Sequence, residues 1–299
     1  MARWPISVEA FPPLTLGQIV CLEAIKRGGV AVVTGAANGV GKVAATRFAE
    51  AGLGVVLADL DAAALVTAEA DVCAAAANGA NVITLPTDVS DAGSVANLAD
   101  TALNLGEIAV FMNNAGISRP TGSWENADTW RQLIEVNLFG VVNGIQTFVS
   151  RMIEAGRPAV VINTGSKQGI TTPPGNPAYN VTKAGVKVIT EMLAHDLREA
   201  GAPISAHLFV PGFTYTNMIA RFMPERPAAA WTSEQTVDHF IDRMAAGDFY
   251  ILCPDNDVTP ERDRRRAAWA IGDITKNRPA LSRWHPDYAE AFTKFETAN

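Results

Sequence analysis

The sequence predicts a doubly wound α/β fold: a parallel seven-stranded sheet held between two layers of helices, a three-layer αβα arrangement. Three observations carry this. From residue 29 onward, short apolar runs alternate with longer segments of helical period. The short runs are continuous and rich in Val and Ile, which suits strands covered on both faces. Helical segments between such strands supply the right-handed crossovers that parallel pairing needs.

The first run, residues 30–34, is bounded by Gly29 and Gly35 and precedes a helical pattern over 40–51. A second run, 53–58, leads into an alanine-rich helix over 61–77. The third strand covers 81–86 and its helix 92–105; the fourth strand covers 108–112. A long helical pattern follows over 128–154, then a fifth strand at 159–163. Asn176 is placed to cap the next helix, Pro177 to fill its first position and Gly201 to end it. The sixth and seventh strands span 204–210 and 249–253.

Residues 1–28 form an N-terminal arm, with Pro5, Pro12, Pro13 and a short helix over 16–26. It could brace the sheet, mediate assembly or be partly disordered. Residues 256–299 form a C-terminal helical extension. Thr259 caps a helix that Pro260 opens, running to about Asn277 before Pro279. Length alone allows one or two domains. No repeat, low-complexity tract or linker divides the chain, so residues 29–255 read as one domain.

The 299 residues are 48% hydrophobic and 18% charged, a globular composition with length enough for a substantial core. The net charge of −7 argues against nucleic acid as a partner. Cys21, Cys73 and Cys253 are far apart and form no CxxC pair, so neither a disulfide framework nor a zinc site is expected. The four histidines lack metal-ligand spacing, and no metal is expected. The apolar run at 19–25 is short, contains Glu23 and follows prolines, unlike a signal peptide. No run approaches the roughly 18 apolar residues of a membrane span. A cytoplasmic protein is expected.

Thr34-Gly35-Ala36-Ala37-Asn38-Gly39-Val40-Gly41 joins the first strand to the first helix. Such a turn alone can be ordinary. In this position its glycines let a pyrophosphate approach backbone N–H groups at a helix N-terminus. Strand two ends at Asp59, whose carboxylate can bind both adenosine ribose hydroxyls and would repel a 2′-phosphate. Neither Leu60 nor Asn38 supplies a cation for such a phosphate. NAD is therefore expected, and NADP less so. Asp59 or Asp61 could instead cap the next helix, and Asp61 can do so while Asp59 binds ribose.

The spacing T-G-x-x-x-G-x-G resembles the short-chain dehydrogenase/reductase family, of Rossmann-type fold. Further blocks follow in the family's order: Asp88-Val89, Asn113-Asn114-Ala115-Gly116, Asn137 within Val136-Asn137-Leu138-Phe139-Gly140, Ser166, Tyr179-Asn180-Val181-Thr182-Lys183, and Pro211-Gly212-Phe213-Thr214-Tyr215-Thr216. Gly165 stands where many members have a second serine. The resemblance implies an NAD(P)-dependent oxidoreductase acting on CH–OH groups, with Asn137, Ser166, Tyr179 and Lys183 catalytic. It places Gly35, Asn38, Gly39, Val40, Gly41, Asp59, Asp88, Val89, Asn114, Gly116, Tyr179, Lys183, Pro211, Gly212 and Thr216 at the cofactor. Asp88-Val89 would contact adenine, Thr216 the nicotinamide carboxamide, and Lys183 the nicotinamide ribose. Asn137 would hold a water linking Lys183 to solvent. A homodimer or homotetramer on the long fourth and fifth helices is also implied.

Tyr179 and Lys183 are four apart and share one helix face. A tyrosine titrates near roughly 10, too high for a good base at neutral pH. A nearby ammonium and the positive nicotinamide ring would favour its phenolate. Tyr179 could then take the alcohol proton as hydride leaves, while Ser166 polarises the substrate oxygen. Alone, such a Tyr/Lys pair is a surface pair and such a serine a turn residue; their joint spacing makes the case.

Residues 212–232 precede a helix that Thr232 and Gln235 can box-cap, and in this family form a substrate lid. Ser166, Gln168, Phe213, Tyr215, Met218 and Phe222 are candidate substrate contacts, with Met223 and Trp231 nearby. They suggest a fairly bulky apolar or aromatic small-molecule alcohol or ketone, unless they only pack the lid down. The run 262–266 reads as a solvated helix face. Trp269, Trp284, Tyr288 and Phe292 suggest that the extension docks on its own cleft or a neighbour's. An epimerase or lyase on the same fold, or a non-catalytic nucleotide sensor, are the alternatives; retained Ser166, Tyr179 and Lys183 argue against the sensor.

Overall fold

The computed structural model describes residues 16–77 and 79–297. Its elements follow the expected order. Helix α1 is Leu16–Lys26, β1 Val30–Thr34, α2 Gly39–Glu50, β2 Gly54–Asp59, α3 Ala62–Ala75, β3 Val82–Pro86, α4 Ala92–Leu105 and β4 Ile108–Asn113. Then come α5 Ala127–Ile134, a π turn Glu135–Phe139, α6 Gly140–Ala155, β5 Ala159–Thr164, α7 Gln168–Thr171, α8 Pro177–Glu199 and β6 Ile204–Val210. The chain continues through α9 Asn217–Ala220, α10 Ser233–Ala245, β7 Tyr250–Leu252, α11 Pro260–Thr275 and α12 Ala289–Thr297.

The strands form one sheet in the order β3-β2-β1-β4-β5-β6-β7, and each neighbouring pair is parallel. The chain reverses its direction of travel across the sheet between β1 and β4. A crevice opens there beyond the carboxyl ends of the strands, where such folds bind ligands. Strands β1, β4 and β5 are buried along their whole length, which is why their sequences carry no polar alternation. Residues of α1, α2, α3 and α10 pack on one sheet face, and residues of α4, α6 and α8 on the other.

Local caps match their sequence signals. The Asn176 side chain accepts from Tyr179 N, Thr232 and Gln235 form a reciprocal capping box, and Thr259 accepts from Arg262 N. Asp61 caps α3 by accepting from Ala64 N at 3.0 Å. Helix α1 braces the sheet: it touches β4, β5 and β6, and buries Cys21 and Ala24. The expectations for residues 1–15 lie outside the described residues. Cys21, Cys73 and Cys253 are all free. His207, buried among Cys21, Ser205 and the Asp248 carbonyl, is a bonded core histidine.

Three expectations change. The continuous helix over 128–154 is interrupted by the π turn, in which Gly140 N donates to Glu135 O. One extra residue in a turn barely alters the apolar period, so the sequence hides it. The helical stretch Ala127–Ala155 is also long and apolar enough to cross a membrane by length and composition, contrary to the expectation that no segment is. Its apolar side instead covers the sheet, burying Val141, Phe148, Val149 and Met152, with the Phe148 ring stacked 3.9 Å from that of Phe111. The run at 262–266 is not simply a solvated face. Asp263 is buried and Arg266 half-buried, because α11 turns that side onto α7 beside the crevice.

Candidate active site

The crevice is one cleft of about 820 Å³ running from the glycine turn past Tyr179 to the C-terminal extension. At its nucleotide end the backbone comes too close for side chains. A Cβ on Gly35 would meet Ala115 Cα at 2.8 Å, and one on Gly41 would collide with Gly35 O. Gly35 and Gly39 also hold positive φ, of 66° and 55°. The loop after β4 locks this turn. Thr34 Oγ1 accepts from Asn114 N at 2.9 Å and Ala115 N at 3.1 Å, while Asn114 Nδ2 donates to Thr34 O at 3.0 Å. A backbone cradle of this kind, opening at the N-terminus of α2, fits a dinucleotide pyrophosphate.

Asp59 stands at the end of β2 and lines the cleft. Its Oδ2 accepts from Ala37 N at 3.0 Å and its Oδ1 from Asp61 N at 3.1 Å. Those bonds fix the carboxylate beside the turn. Ribose hydroxyls fit this acceptor, and the capping role falls to Asp61.

Tyr179 and Lys183 project from one face of α8 into the cleft wall. Lys183 Nζ lies 5.8 Å from the centre of the Tyr179 ring and donates to Thr164 O at 2.8 Å. Burial pushes the Lys183 amine down to about 8. The Tyr179 hydroxyl moves the other way from expectation. Among protein groups alone, burial raises it above its ordinary value, and a hydrogen bond with Ser166 offsets part of the rise. Ser166 Oγ in turn accepts from Gln168 N at 3.2 Å, in the turn opening α7.

Asn137 is fully buried in the π turn. Its side chain accepts from Ile117 N at 2.7 Å and donates to Ile117 O at 2.8 Å. These bonds tie the helix to the loop after β4 and occupy the amide. Its Oδ1 lies 3.2 Å from where a Gly116 Cβ would stand, which accounts for the glycine.

The cleft brings together Gly35, Asn38, Gly39, Val40, Gly41, Asp59, Asn114, Gly116, Ser166, Gln168, Tyr179, Lys183, Pro211, Gly212, Phe213, Thr216, Met218 and Phe222. Four other candidates lie apart from its lining. Asp88 Oδ1 accepts from Ser90 N and Ser90 Oγ, and Val89 packs under α6 where Gly140 leaves room. Asn137 sits behind the wall. Tyr215 donates its hydroxyl to the Met223 and Pro224 carbonyls within the lid. Met223 is also outside the lining, and Trp231 bonds Asn256. The lid residues thus divide between lining the cleft and packing the lid.

Sequence reading missed several contributors. Thr164 looks like a strand end, Thr34 reads in sequence only as the residue that opens the glycine turn, and Asn217 Nδ2 reaches Asn38 Oδ1 at 2.9 Å. Lys167, Asp255 and Arg266 also line the cleft. Lys167 pairs with Asp255 and Asp263, both distant in sequence, so no local signal exposed them.

A family model described as short chain dehydrogenase matches residues 29–227. A 1-deoxy-11-beta-hydroxypentalenate dehydrogenase of Streptomyces exfoliatus is 34% identical, over 88% of this chain and 96% of that protein. A 3beta-hydroxysteroid dehydrogenase 2 of Eggerthella lenta is 33% identical, over 64% of this chain and 73% of that protein. The crystal structure of a short chain dehydrogenase/reductase from Burkholderia phymatum in complex with NAD superposes with a TM-score of 0.76. It is 30% identical, covering 84% of this chain and 95% of that one.

Proposed function

The chain belongs to the short-chain dehydrogenase family, and from that premise we propose that it moves hydride between NAD(H) and a secondary alcohol/ketone pair on a fairly bulky, apolar or aromatic small molecule. That it is an oxidoreductase acting on CH–OH groups follows from the family and its relatives. The observation carrying the finer reading is one cleft with the Ser166–Tyr179–Lys183 set along it and the Asp59 carboxylate at its nucleotide end.

When bound, the nicotinamide ring supplies the hydride acceptor or donor. Tyr179 Oη takes the alcohol proton during oxidation and returns it during reduction. Ser166 Oγ holds the substrate oxygen against Tyr179. Lys183, held at Thr164 O, orients the ribose and contributes positive charge beside the phenol. Asn137 acts through the backbone, holding the loop after β4 to the π turn. Asp59 offers acceptors to two ribose hydroxyls and repels a 2′-phosphate. Phe213, Met218 and Phe222 give the substrate end its apolar wall, and the named substrates of the Streptomyces and Eggerthella relatives fit that class.

The test is a panel of aliphatic, cyclic, steroidal and aryl secondary alcohols with NAD or NADP. Formation of NADH in a one-to-one ratio with ketone is expected, with kcat/KM at least about tenfold higher for NAD. Asp59→Ser should narrow that gap by relieving the repulsion. Absence of turnover with every alcohol and corresponding ketone, despite dinucleotide binding, would remove the hydride-transfer reading; equal use of NADP would remove the role of Asp59.

The same reading includes a homodimer or homotetramer. Val181, Val188 and Met192 lie exposed along α8, and Ile153 is exposed on α6. Light scattering is expected to give at least twice the chain mass, and a monomer at working concentration would remove this part.

A further inference from the structure

The C-terminal extension brings charge to the substrate end of the cleft that proton and hydride transfer leave unused. Arg266, on α11, lines the cleft. It lies three residues, about one helical turn, beyond Asp263. Asp263 ion-pairs at 2.6 Å with Lys167, the residue after Ser166. The Arg266 side chain therefore lines the cleft on the wall that the C-terminal extension and Lys167 form.

The Arg266 position is built. Its side chain is 17% exposed, and its Nε donates to Glu296 Oε1 at 2.5 Å. Glu296, on α12, is 8% exposed and also accepts from Arg262 Nη2 at 3.0 Å. A third guanidinium, Arg283, also neighbours Glu296, Asp263 and Arg266.

Asp263 also neighbours Arg266 and Arg283. Lys167, Arg262, Arg266 and Arg283 thus face the four acids Asp255, Asp257, Asp263 and Glu296, and what stays open is hydrogen bonding rather than net charge. Asp255 accepts from the backbone N–H groups of Phe213, Asp257 and Val258, and with Asp263 it is paired to Lys167. Asp257 is exposed to solvent. Among the described residues, the two Nη groups of Arg266 have no hydrogen-bond partner. A chain of net charge −7 thus keeps on the wall of its substrate cleft a guanidinium fixed through Nε, its outer N–H groups unpartnered among the described residues. Such a fork matches a carboxylate, and a half-buried guanidinium gains when an anion completes its bonding.

We propose that Arg266 is the anion subsite of this cleft, and that the substrate is a hydroxy or oxo carboxylic acid whose apolar skeleton spans from Tyr179 to the extension. The carboxylate binds end-on to Nη1 and Nη2, while Glu296 keeps the guanidinium in place through Nε. Phe213 and Met218 cover the skeleton between. This rests on the hydride-transfer reading and adds a substrate class to it.

The experiment measures binding of matched probes to the NADH-saturated protein by calorimetry. The probes are a hydroxycyclohexanecarboxylate and a hydroxysteroid carboxylate, each compared with its methyl ester. At least one acid is expected to bind tighter than its ester by on the order of tenfold. Arg266→Met should erase that preference without weakening the ester, and Arg266→Lys should keep part of it. Arg264→Met, on the exposed side of α11, should keep all of it. Glu296 retains Arg262 in each variant, and melting curves check the fold; were Arg266→Met not to fold, Arg266→Lys and the acid/ester comparison in the unaltered protein would still decide. Acids that bind no better than their esters, or not at all, overturn the subsite, as does a preference that survives Arg266→Met. Turnover of the esters with NAD would in that case leave the hydride-transfer reading standing.

Discussion

Replacing Tyr179 with Phe is expected to lower alcohol oxidation and ketone reduction by about 10²- to 10⁴-fold, the span of one positioned proton-transfer group. The ring is kept, so packing beneath the lid is unchanged. What is lost is one hydroxyl, on a residue that lines the cleft together with Ser166. NADH binding, followed by its fluorescence, should change little, because the glycine turn, Asp59 and Lys183 are untouched. The pH dependence supplies a second readout. Burial holds the Tyr179 hydroxyl above its ordinary value, so the phenol is the main form at neutral pH. Raising the pH creates the phenolate that oxidation needs and removes the phenol that reduction needs. Oxidation should therefore climb and reduction fall toward alkaline pH. The climb is limited as Lys183, pushed down to about 8, loses the charge that steadies the phenolate. Parallel slopes in the two directions, or wild-type turnover by the Phe variant, would mean that another group carries the proton.

How far this site could be read from sequence follows the distance over which each part is encoded. The glycine turn was legible because strand, turn and helix are contiguous, and because Gly35 and Gly41 leave no room for a Cβ. Tyr179 and Lys183 were legible because four residues on a helix fix their relation. Seven strands were legible from continuous apolar runs, with boundaries displaced by a residue or so, as at β2 and β7. The π turn was hidden, and with it the geometry by which Asn137 reaches Ile117. Asp88 and Val89 follow a familiar pattern, yet their side chains serve Ser90 and α6.

The extension was misread for a different reason. In the run 262–266, high charge suggested solvent, since isolated charges favour water. Whether a charged side chain is buried depends on the partner that meets it, and the partners here lie in other elements: Lys167 beside α7 and Glu296 on α12. The aromatic residues of the extension gave the better clue. Trp269 is buried, donates Nε1–H to Ser282 Oγ at 2.8 Å, and has the Arg278 guanidinium 3.9 Å from its ring centre. That anchorage leaves α11 against α7 of the same chain, which favours docking on its own cleft over a neighbour's.

The largest stability effect should come from Lys167→Met. The ammonium sits between Asp263 Oδ2 at 2.6 Å and Asp255 Oδ2 at 3.4 Å, with side-chain exposures of 19% for Lys167, 7% for Asp263 and 6% for Asp255. Methionine fills a similar volume but leaves two buried carboxylates without their cation. Breaking one side of a buried pair costs about 3–5 kcal/mol. Asp255 keeps its backbone N–H donors, so Asp263 bears most of the loss. The sign with pH follows from Asp263. Burial already holds its carboxyl above the ordinary carboxylate range, and Lys167 opposes that rise. Without Lys167 the rise is larger, and the folded state binds the proton more tightly than the unfolded chain does. The deficit is then full at neutral pH and shrinks as the pH falls through the raised value. Asp263→Asn in the same chain removes the orphaned charge and should recover much of the loss. Denaturant melts of the single and double variants across this range check both points. A Lys167→Met variant as stable as the parent at neutral pH, or one whose deficit grows toward acid, would mean that solvent reaches these carboxylates and that the pair does not hold α11 to the cleft.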